Sequence, residues 1–214
     1  MRWLRTVLAV VPALALAGAG LSHPHFLTLE SAASWQHLHL LLLPVFPLLA
    51  VGFLLPLWRR PGIDVAGFAT VTAWVGAFVY ATFYTGLDLV AGLAAGTVAR
   101  NTHSAADLGA AVQPLFEVGD RLGHIGVYGF AIAAAAMSVV LFLRHGVAAL
   151  AVAVVLLSAS YSFLDSHIFS PRGVYTMVAF AAGFGLAAWI SAPTANSMPR
   201  ATTTTGQKGE PTCG

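Results

Sequence analysis

The chain has 214 residues, of which 58% are hydrophobic and only 8% are charged, and its formal net charge is +2. Soluble domains carry about 25% charged residues, so this chain lacks the polar side chains that a water-soluble core requires. Its composition excludes an ordinary cytosolic enzyme, a nucleic-acid-binding protein and a disordered protein. The single cysteine, Cys213, excludes an intrachain disulfide and a cysteine-based metal site.

Long apolar stretches predict an all-α, polytopic integral membrane protein with one transmembrane bundle over residues 1–192. A helix rises about 1.5 Å per residue, so crossing a hydrocarbon layer of about 30 Å takes about 20 apolar residues. Six stretches approach this length, and charges and turn-forming residues separate them. In chain order, the predicted helices cover residues 5–21, 37–58, 64–90, 118–143, 146–164 and 173–191.

Three parts of this pattern need interpretation. The first stretch follows two arginines and ends in small residues, which also describes a signal peptide; we favour a retained helix. The second contains Pro44 and Pro47, which should kink it. The third continues to residue 99 with Asp88 as its only charge, so we expect it to project beyond the membrane or to break near Gly86 or Gly92. We expect residues 100–114 to form a turn region.

The distribution of basic residues predicts the orientation. Lys and Arg accumulate on the cytoplasmic side of membranes. With the N-terminus inside, seven of the ten basic residues are cytoplasmic, and only Arg100, Arg121 and Arg172 are outside. The sequence thus predicts a multi-pass protein of the plasma or inner membrane with both termini cytoplasmic. Residues 193–214 have no apolar pattern and are predicted to be a disordered cytoplasmic tail.

Histidine and acidic residues are concentrated at the predicted outer ends of the helices. Seven of the eight histidines and six of the eight acidic residues lie there. In a compact bundle these ends lie close together, so we expect a His/carboxylate pocket at the extracytoplasmic face. The outer residues are His23, His25, His37, His39, His103, His124 and His167, with Glu30, Asp88, Asp107, Glu117, Asp120 and Asp165.

Helical spacing predicts which of these residues are neighbours, because residues three or four apart share a face. Glu117 should pair with Arg121, and Asp120 should contact His124. Tyr84 should lie beside Asp88. His37 and His39 are two residues apart, so both can face one ligand only if their helix begins after His37.

The residue types in this cluster favour a transition-metal site for zinc or copper. The predicted ligands are His39, His124 and His167, with Asp88 as a fourth ligand or a general base and Asp165 as a second carboxylate, catalytic or orienting an imidazole. A water bound to zinc could hydrolyse a lipid ester or amide at the outer leaflet. Copper handling fits the same ligands, with His23 and His25 as the first binding point. The residues predicted to orient ligands or contact substrate are His37, Tyr84, Glu117, Asp120, Arg121 and Arg172.

Other interpretations remain open at this stage. Haem b could be bound by His39 or His37 together with His124, with arginines near the propionates. The polar groups could also belong to a transporter or to a non-catalytic membrane module, in which they are interfacial. The predicted partner is membrane lipid, not nucleic acid. Stripes of small residues that face lipid would permit a homo-oligomer.

Overall fold

Every regular element is a helix within residues 2–192, the part of the chain that the computed structural model describes. A π-helical segment, Asp88–Ala94, joins α5 to α6, and a 3-10 turn, Gly146–Ala149, joins α7 to α8. The predicted tail, residues 193–214, lies outside the described residues. The helices are α1 (Arg2–Ser22), α2 (Ala32–Leu42), α3 (Val45–Leu48), α4 (Val51–Leu54), α5 (Val65–Leu87), α6 (Ala95–Asn101), α7 (Ala105–His145), α8 (Leu150–Ser166) and α9 (Arg172–Ile190).

Within residues 2–192, five helical stretches are long and apolar enough to cross a membrane, which confirms the membrane-type helical architecture. One of them, Ala105–Ser166, has 62 residues and contains a reversal of the chain. Gly146 has a φ of +59° at this point. Phe130 of α7 contacts Phe163 of α8, with ring centroids 5.7 Å apart. Because these residues are on opposite sides of Gly146 in the sequence, α7 and α8 are antiparallel neighbours.

The second predicted helix begins earlier and is more interrupted than expected. Ser31 is the N-cap of α2, and the first helical residue, Ala32, lies five residues before the predicted start. Pro44 is the N-cap of α3, and Pro47 lies within it. Proline lacks an N–H group and clashes with the preceding turn. The predicted kink is therefore a series of three short helices rather than one bent helix.

The fourth predicted helix also begins earlier, at Ala105 instead of residue 118. The Ser104 hydroxyl accepts a hydrogen bond from the Ala106 N–H at 3.2 Å and caps the helix. Leu108 and Val112 are buried in a small core with Ala99. The expected turn over residues 100–114 is therefore wrong. Only residues 102–104 are non-helical there.

The third predicted helix continues through the expected break. Its helical hydrogen bonding changes to the π pattern over Asp88–Ala94 and then returns to α in α6. A π segment widens the helix locally and is often found at functional sites. The change in pattern occurs at Asp88, the only charged residue between Val65 and Ala99.

The core of the bundle is largely aromatic. Phe53 packs edge-to-face on Phe130 and on Phe184, with ring centroids 4.7 Å and 4.9 Å apart. Close contact between α5 and α7 depends on glycine, since a Cβ at Gly126 would lie 3.0 Å from the backbone nitrogen of Tyr84. This packing fixes the position of Tyr84 along the axis of α7.

The two ends of the bundle differ in chemistry. At one end the Arg2 guanidinium lies 3.7 Å from the centroid of the Trp189 ring, and Arg5 donates a hydrogen bond to the Leu55 carbonyl. At the other end, the end of α1, the start of α2, the π segment and the end of α8 come together. The helix ends that we predicted to be on the outside thus form one cluster.

Candidate metal centre

Three imidazole side chains meet at the polar end of the bundle. One ring nitrogen from each of His23, His39 and His167 lies within 4.8 Å of the other two. His23 and His39 are only 4% and 3% exposed, and His167 is half-buried. The three residues come from the turn after α1, from α2, and from the position that follows α8. The fold, not a local sequence motif, brings them together.

Hydrogen bonds to the backbone fix the tautomers of two of these rings. His39 Nδ1 lies 2.7 Å from the Trp35 carbonyl oxygen, and His23 Nδ1 lies 2.7 Å from the Pro24 carbonyl oxygen. Because a carbonyl oxygen only accepts, both Nδ1 atoms carry the proton and donate it. In the neutral rings, each Nε2 atom therefore presents a lone pair. Metal-binding histidines commonly donate their other N–H to a carbonyl in this way.

The distance between these two lone pairs matches that between two ligands of one ion. His23 Nε2 and His39 Nε2 are 3.4 Å apart. Zn–N bonds of about 2.0–2.1 Å in tetrahedral geometry place two ligand nitrogens about 3.3–3.4 Å apart. Two lone pairs that face each other at this distance repel unless a proton or a metal ion lies between them. The three rings thus lie close enough together to bind a metal ion.

The π segment positions His39. Its backbone carbonyls at Ala91 and Gly92 accept hydrogen bonds from the Trp35 indole N–H, at 3.3 Å and 3.1 Å. The His39 ring stacks on the indole of Trp35 with a centroid distance of 4.9 Å. A Cβ at position 92 would lie 2.1 Å from His39 Cδ2. Only glycine at this position leaves room for the imidazole.

A strained backbone and a phenol position His167. Its φ of 44° and ψ of −133° lie in a region that strongly favours glycine, which costs a non-glycine residue about 1–3 kcal/mol. The Tyr84 hydroxyl forms a hydrogen bond with His167 Nδ1. The Tyr84 ring stacks on the imidazole at a centroid distance of 5.6 Å, and the Phe46 ring does so at 5.7 Å. These contacts hold the imidazole in one orientation.

Asp88 adds an unpaired carboxylate beside the three rings. It is 1% exposed, and its Oδ1 atom lies 3.9 Å from His39 Nε2. Neither carboxylate oxygen has a hydrogen-bond partner among the described residues. A buried carboxylate without a partner costs several kcal/mol, and either protonation or a nearby cation removes this cost. The Asp88 carboxyl group is thus a further group that could contact a cation held by the three rings.

Burial keeps the histidines in the neutral form that binds metals. Desolvation lowers the pKa of His23 to about 4, although the hydrogen bond to Pro24 opposes this shift. Desolvation also lowers the pKa of His167 well below its ordinary value, and the nearby His23 and His39 lower it further. At neutral pH these two rings need not lose a proton before an ion binds.

A cavity of about 400 Å³ reaches the cluster from the surface. Its inner part is polar and includes His39, Tyr84, Asp88 and His167. Its walls are apolar side chains of α5, α7 and α8. Some of the polar residues that line the cavity are exposed to solvent. They mark the opening of the cavity, which we call the mouth. The mouth residues are Asp120, His124 and Asp165.

Of the three predicted ligands, the structure brings His39 and His167 together but not His124. The His124 side chain is 48% exposed at the mouth. Its Nδ1 atom lies 2.8 Å from the Asp120 carbonyl oxygen and 3.5 Å from the Asp120 carboxylate, so the predicted contact between these residues is present. The third imidazole of the cluster is His23 instead. The three imidazoles that lie close together therefore differ from the predicted ligand set at this one position.

Most of the other predicted residues lie away from the cluster. His37 is exposed, because α2 begins before it and turns it away from His39. Glu117 is exposed and accepts a hydrogen bond from Gln113 at 3.1 Å, and no ion pair joins it to Arg121 in the described chain. Asp165 and Arg172 are also exposed, with 3.8 Å between Asp165 Oδ2 and Arg172 Nη2. Tyr84, in contrast, lies within the site.

Comparison with known protein families, curated proteins and solved structures finds no match for this chain. Its function has to be inferred from the geometry and chemistry of the site.

Proposed function

We propose that this protein is an integral membrane metalloprotein that binds one zinc or copper ion through His23, His39 and His167. The observation that carries the proposal is the 3.4 Å distance between two Nε2 atoms whose Nδ1 atoms both donate to carbonyls. The buried carboxyl group of Asp88 supports it, because its two oxygens lie beside the site without a hydrogen-bond partner among the described residues.

A bare ion fits these residues better than haem b. The two axial ligands of a haem lie on opposite faces of the macrocycle, so a porphyrin plane must separate them. His23 and His39 approach each other too closely for that. The partner that haem b would need on α7, His124, lies at the mouth of the cavity.

The reaction that we propose is metal-assisted hydrolysis of an ester or an amide. Catalytic zinc sites have three protein ligands and keep one position open for water or substrate. Here the open position would face the cavity. Asp88 would accept a proton from a water molecule polarised by the ion while the water oxygen attacks the carbonyl carbon. As the C–O or C–N bond breaks, Asp88 would return the proton to the leaving group.

Metal handling without hydrolysis is the second candidate. It is favoured by the exposed imidazole of His25, which is two residues from His23 and stacks on Phe169 at a centroid distance of 6.3 Å. Phe169 also lines the cavity, so an ion could pass from the surface to the cluster. A carrier must release its ion readily, whereas a hydrolase should retain its ion through dialysis.

The location that we propose is the extracytoplasmic face of a six-helix bundle in the plasma or inner membrane. The reversal at Gly146 divides Ala105–Ser166 into two crossings, which supports a count of six. The excess of basic residues at the opposite end of the bundle supports cytoplasmic termini. Labelling of a terminal tag from outside intact cells would contradict this orientation. The burial of His23 and His39 argues against purely interfacial histidines.

Metal titration of the purified, chelator-treated protein tests the metal site. We expect one zinc ion to bind per chain. Replacing any one of the three cluster histidines by glutamine should weaken binding by about 100-fold or more, since even residues that only orient ligands contribute about 10–100-fold. His25→Gln and His124→Gln are matched controls and should change the affinity by less than about threefold. Equal zinc binding by parent and cluster variants would refute the proposal.

A further inference from the structure

The cavity is larger and more apolar than the binding of an ion requires. A water molecule occupies about 30 Å³, so a cavity of about 400 Å³ has the volume of about a dozen waters. Pockets of this size with apolar walls and a few convergent polar groups are typical of small-molecule sites. The apolar wall residues are Leu87, Phe116, Val127, Phe163 and Leu164.

The polar and apolar parts of this cavity are arranged in three zones. The metal ligands His39 and His167 lie at its inner end, and the apolar walls border them. Charges of both signs lie at or next to the mouth, because Asp165 of the mouth is 3.8 Å from Arg172, which lies outside the cavity lining. A molecule that matches all three zones has a carbonyl group at the ion, a hydrocarbon chain along the walls and a polar head at the mouth.

We infer that the substrate is a lipid ester or amide with a single acyl chain, whose carbonyl group binds at the metal. This inference rests on the proposed metal site and adds its substrate class. Each methylene group buried against the walls contributes about 0.8 kcal/mol to binding. The cavity volume accommodates a chain of about ten carbons at protein packing density. For ligands that share a metal-binding head group, the length of the acyl chain should therefore strongly affect the affinity.

Gly123 offers a way to fill the wall without changing a ligand. It lines the cavity, and a Cβ there would lie 3.1 Å from Leu87 Cδ2, the flexible end of a side chain. Gly123→Leu should therefore place its side chain in the space for the acyl chain. Gly86→Leu is the matched control. Gly86 lies on α5 against Leu122, at 3.3 Å, and it does not line the cavity.

The experiment uses the full-length protein in lipid nanodiscs with cobalt(II) in place of zinc. Acetohydroxamate and decanohydroxamate are the probes, because both present the same metal-binding head and differ only in the chain. We expect both to change the visible spectrum of the bound cobalt. Decanohydroxamate should half-saturate the parent at about 200-fold lower concentration, the preference that burial of about four methylene groups provides.

In Gly123→Leu this preference should fall to less than about tenfold, and in Gly86→Leu it should remain. Acetohydroxamate should still change the spectrum of Gly123→Leu, which shows that the metal site is intact. Leu164→Trp occupies the same space from the α8 side of the cavity and should also reduce the preference for decanohydroxamate to less than about tenfold. The substrate class would be overturned if both Gly123→Leu and Leu164→Trp kept the parent's preference for decanohydroxamate. It would also be overturned if the parent showed no such preference. Failure of the parent to take up cobalt would instead refute the metal site, and this inference with it.

Discussion

Replacing Asp88 by asparagine should have opposite effects on the metal-free and the metal-bound protein. Asp88 is 1% exposed, and its carboxylate has no hydrogen-bond partner among the described residues. Removing one member of a buried ion pair typically costs about 3–5 kcal/mol. At about 1.4 kcal/mol per tenfold change, zinc affinity should fall by about 100-fold to 3,000-fold.

The metal-free variant should in turn be more stable than the metal-free parent at alkaline pH, where the parent carboxylate is ionised and buried without a partner among the described residues. Its amide N–H group can donate to the His39 Nε2 lone pair, which lies 3.9 Å from the Asp88 Oδ1 position. A hydrogen bond of this kind contributes about 1 kcal/mol.

Calorimetric zinc titration and thermal unfolding with a chelator measure the two effects. Asp120→Asn is the control, because this carboxylate at the mouth has a side chain that is 73% exposed. Unchanged zinc affinity in Asp88→Asn would refute the role of the carboxylate.

Three further predictions concern the histidines. Gly92→Ala should weaken zinc binding by about tenfold to 100-fold, because its Cβ would lie 2.1 Å from the His39 ring. The control Gly109→Ala should leave zinc binding unchanged, because a Cβ there meets nothing within 4 Å. Equal zinc affinities of the two variants would contradict the close approach of Gly92 to His39. His167→Gly should leave the metal-free protein about 1 kcal/mol more stable than His167→Ala, because the φ of 44° strains any side chain, and equal melting temperatures would contradict the strain. Burial lowers the pKa of His23 to about 4 and that of His167 in the same direction, so both should be neutral at pH 6. In Asp88→Asn, which lacks the buried carboxyl group that would also release a proton, zinc binding at that pH should release fewer than about 0.5 protons from these two rings, against about 1.5 for two exposed imidazoles. Calorimetry in buffers of different ionisation enthalpy measures this release.

The sequence predicts the helices well where the membrane determines them. A hydrocarbon layer of fixed thickness imposes long apolar runs, and such runs mark α1, α5 and α9 within a few residues. The start of α7 could not be found in this way. Residues 105–117 mix polar and apolar side chains, and they are helical because Leu108 and Val112 pack on α6 and α2.

The sequence predicts two of the three clustered histidines, but not the third. His39, His167 and Asp88 lie at predicted helix ends that a compact bundle brings together. His23 lies in a turn outside the helices, so residue spacing does not predict where its side chain points. The available signal was the sequence Ser22-His23-Pro24-His25, since proline restricts the residue before it to extended conformations. Helical spacing correctly paired Asp120 with His124, yet it could not show that this pair faces the mouth.

X-ray absorption by zinc bound to the full-length protein tests the three-imidazole centre most directly. The proposed site predicts three imidazole nitrogens at about 2.0–2.1 Å and one oxygen ligand. The imidazole signal should decrease in His23→Gln and stay the same in His124→Gln. A six-coordinate oxygen environment, or an identical spectrum in His23→Gln, would contradict the proposal that these three histidines bind the ion.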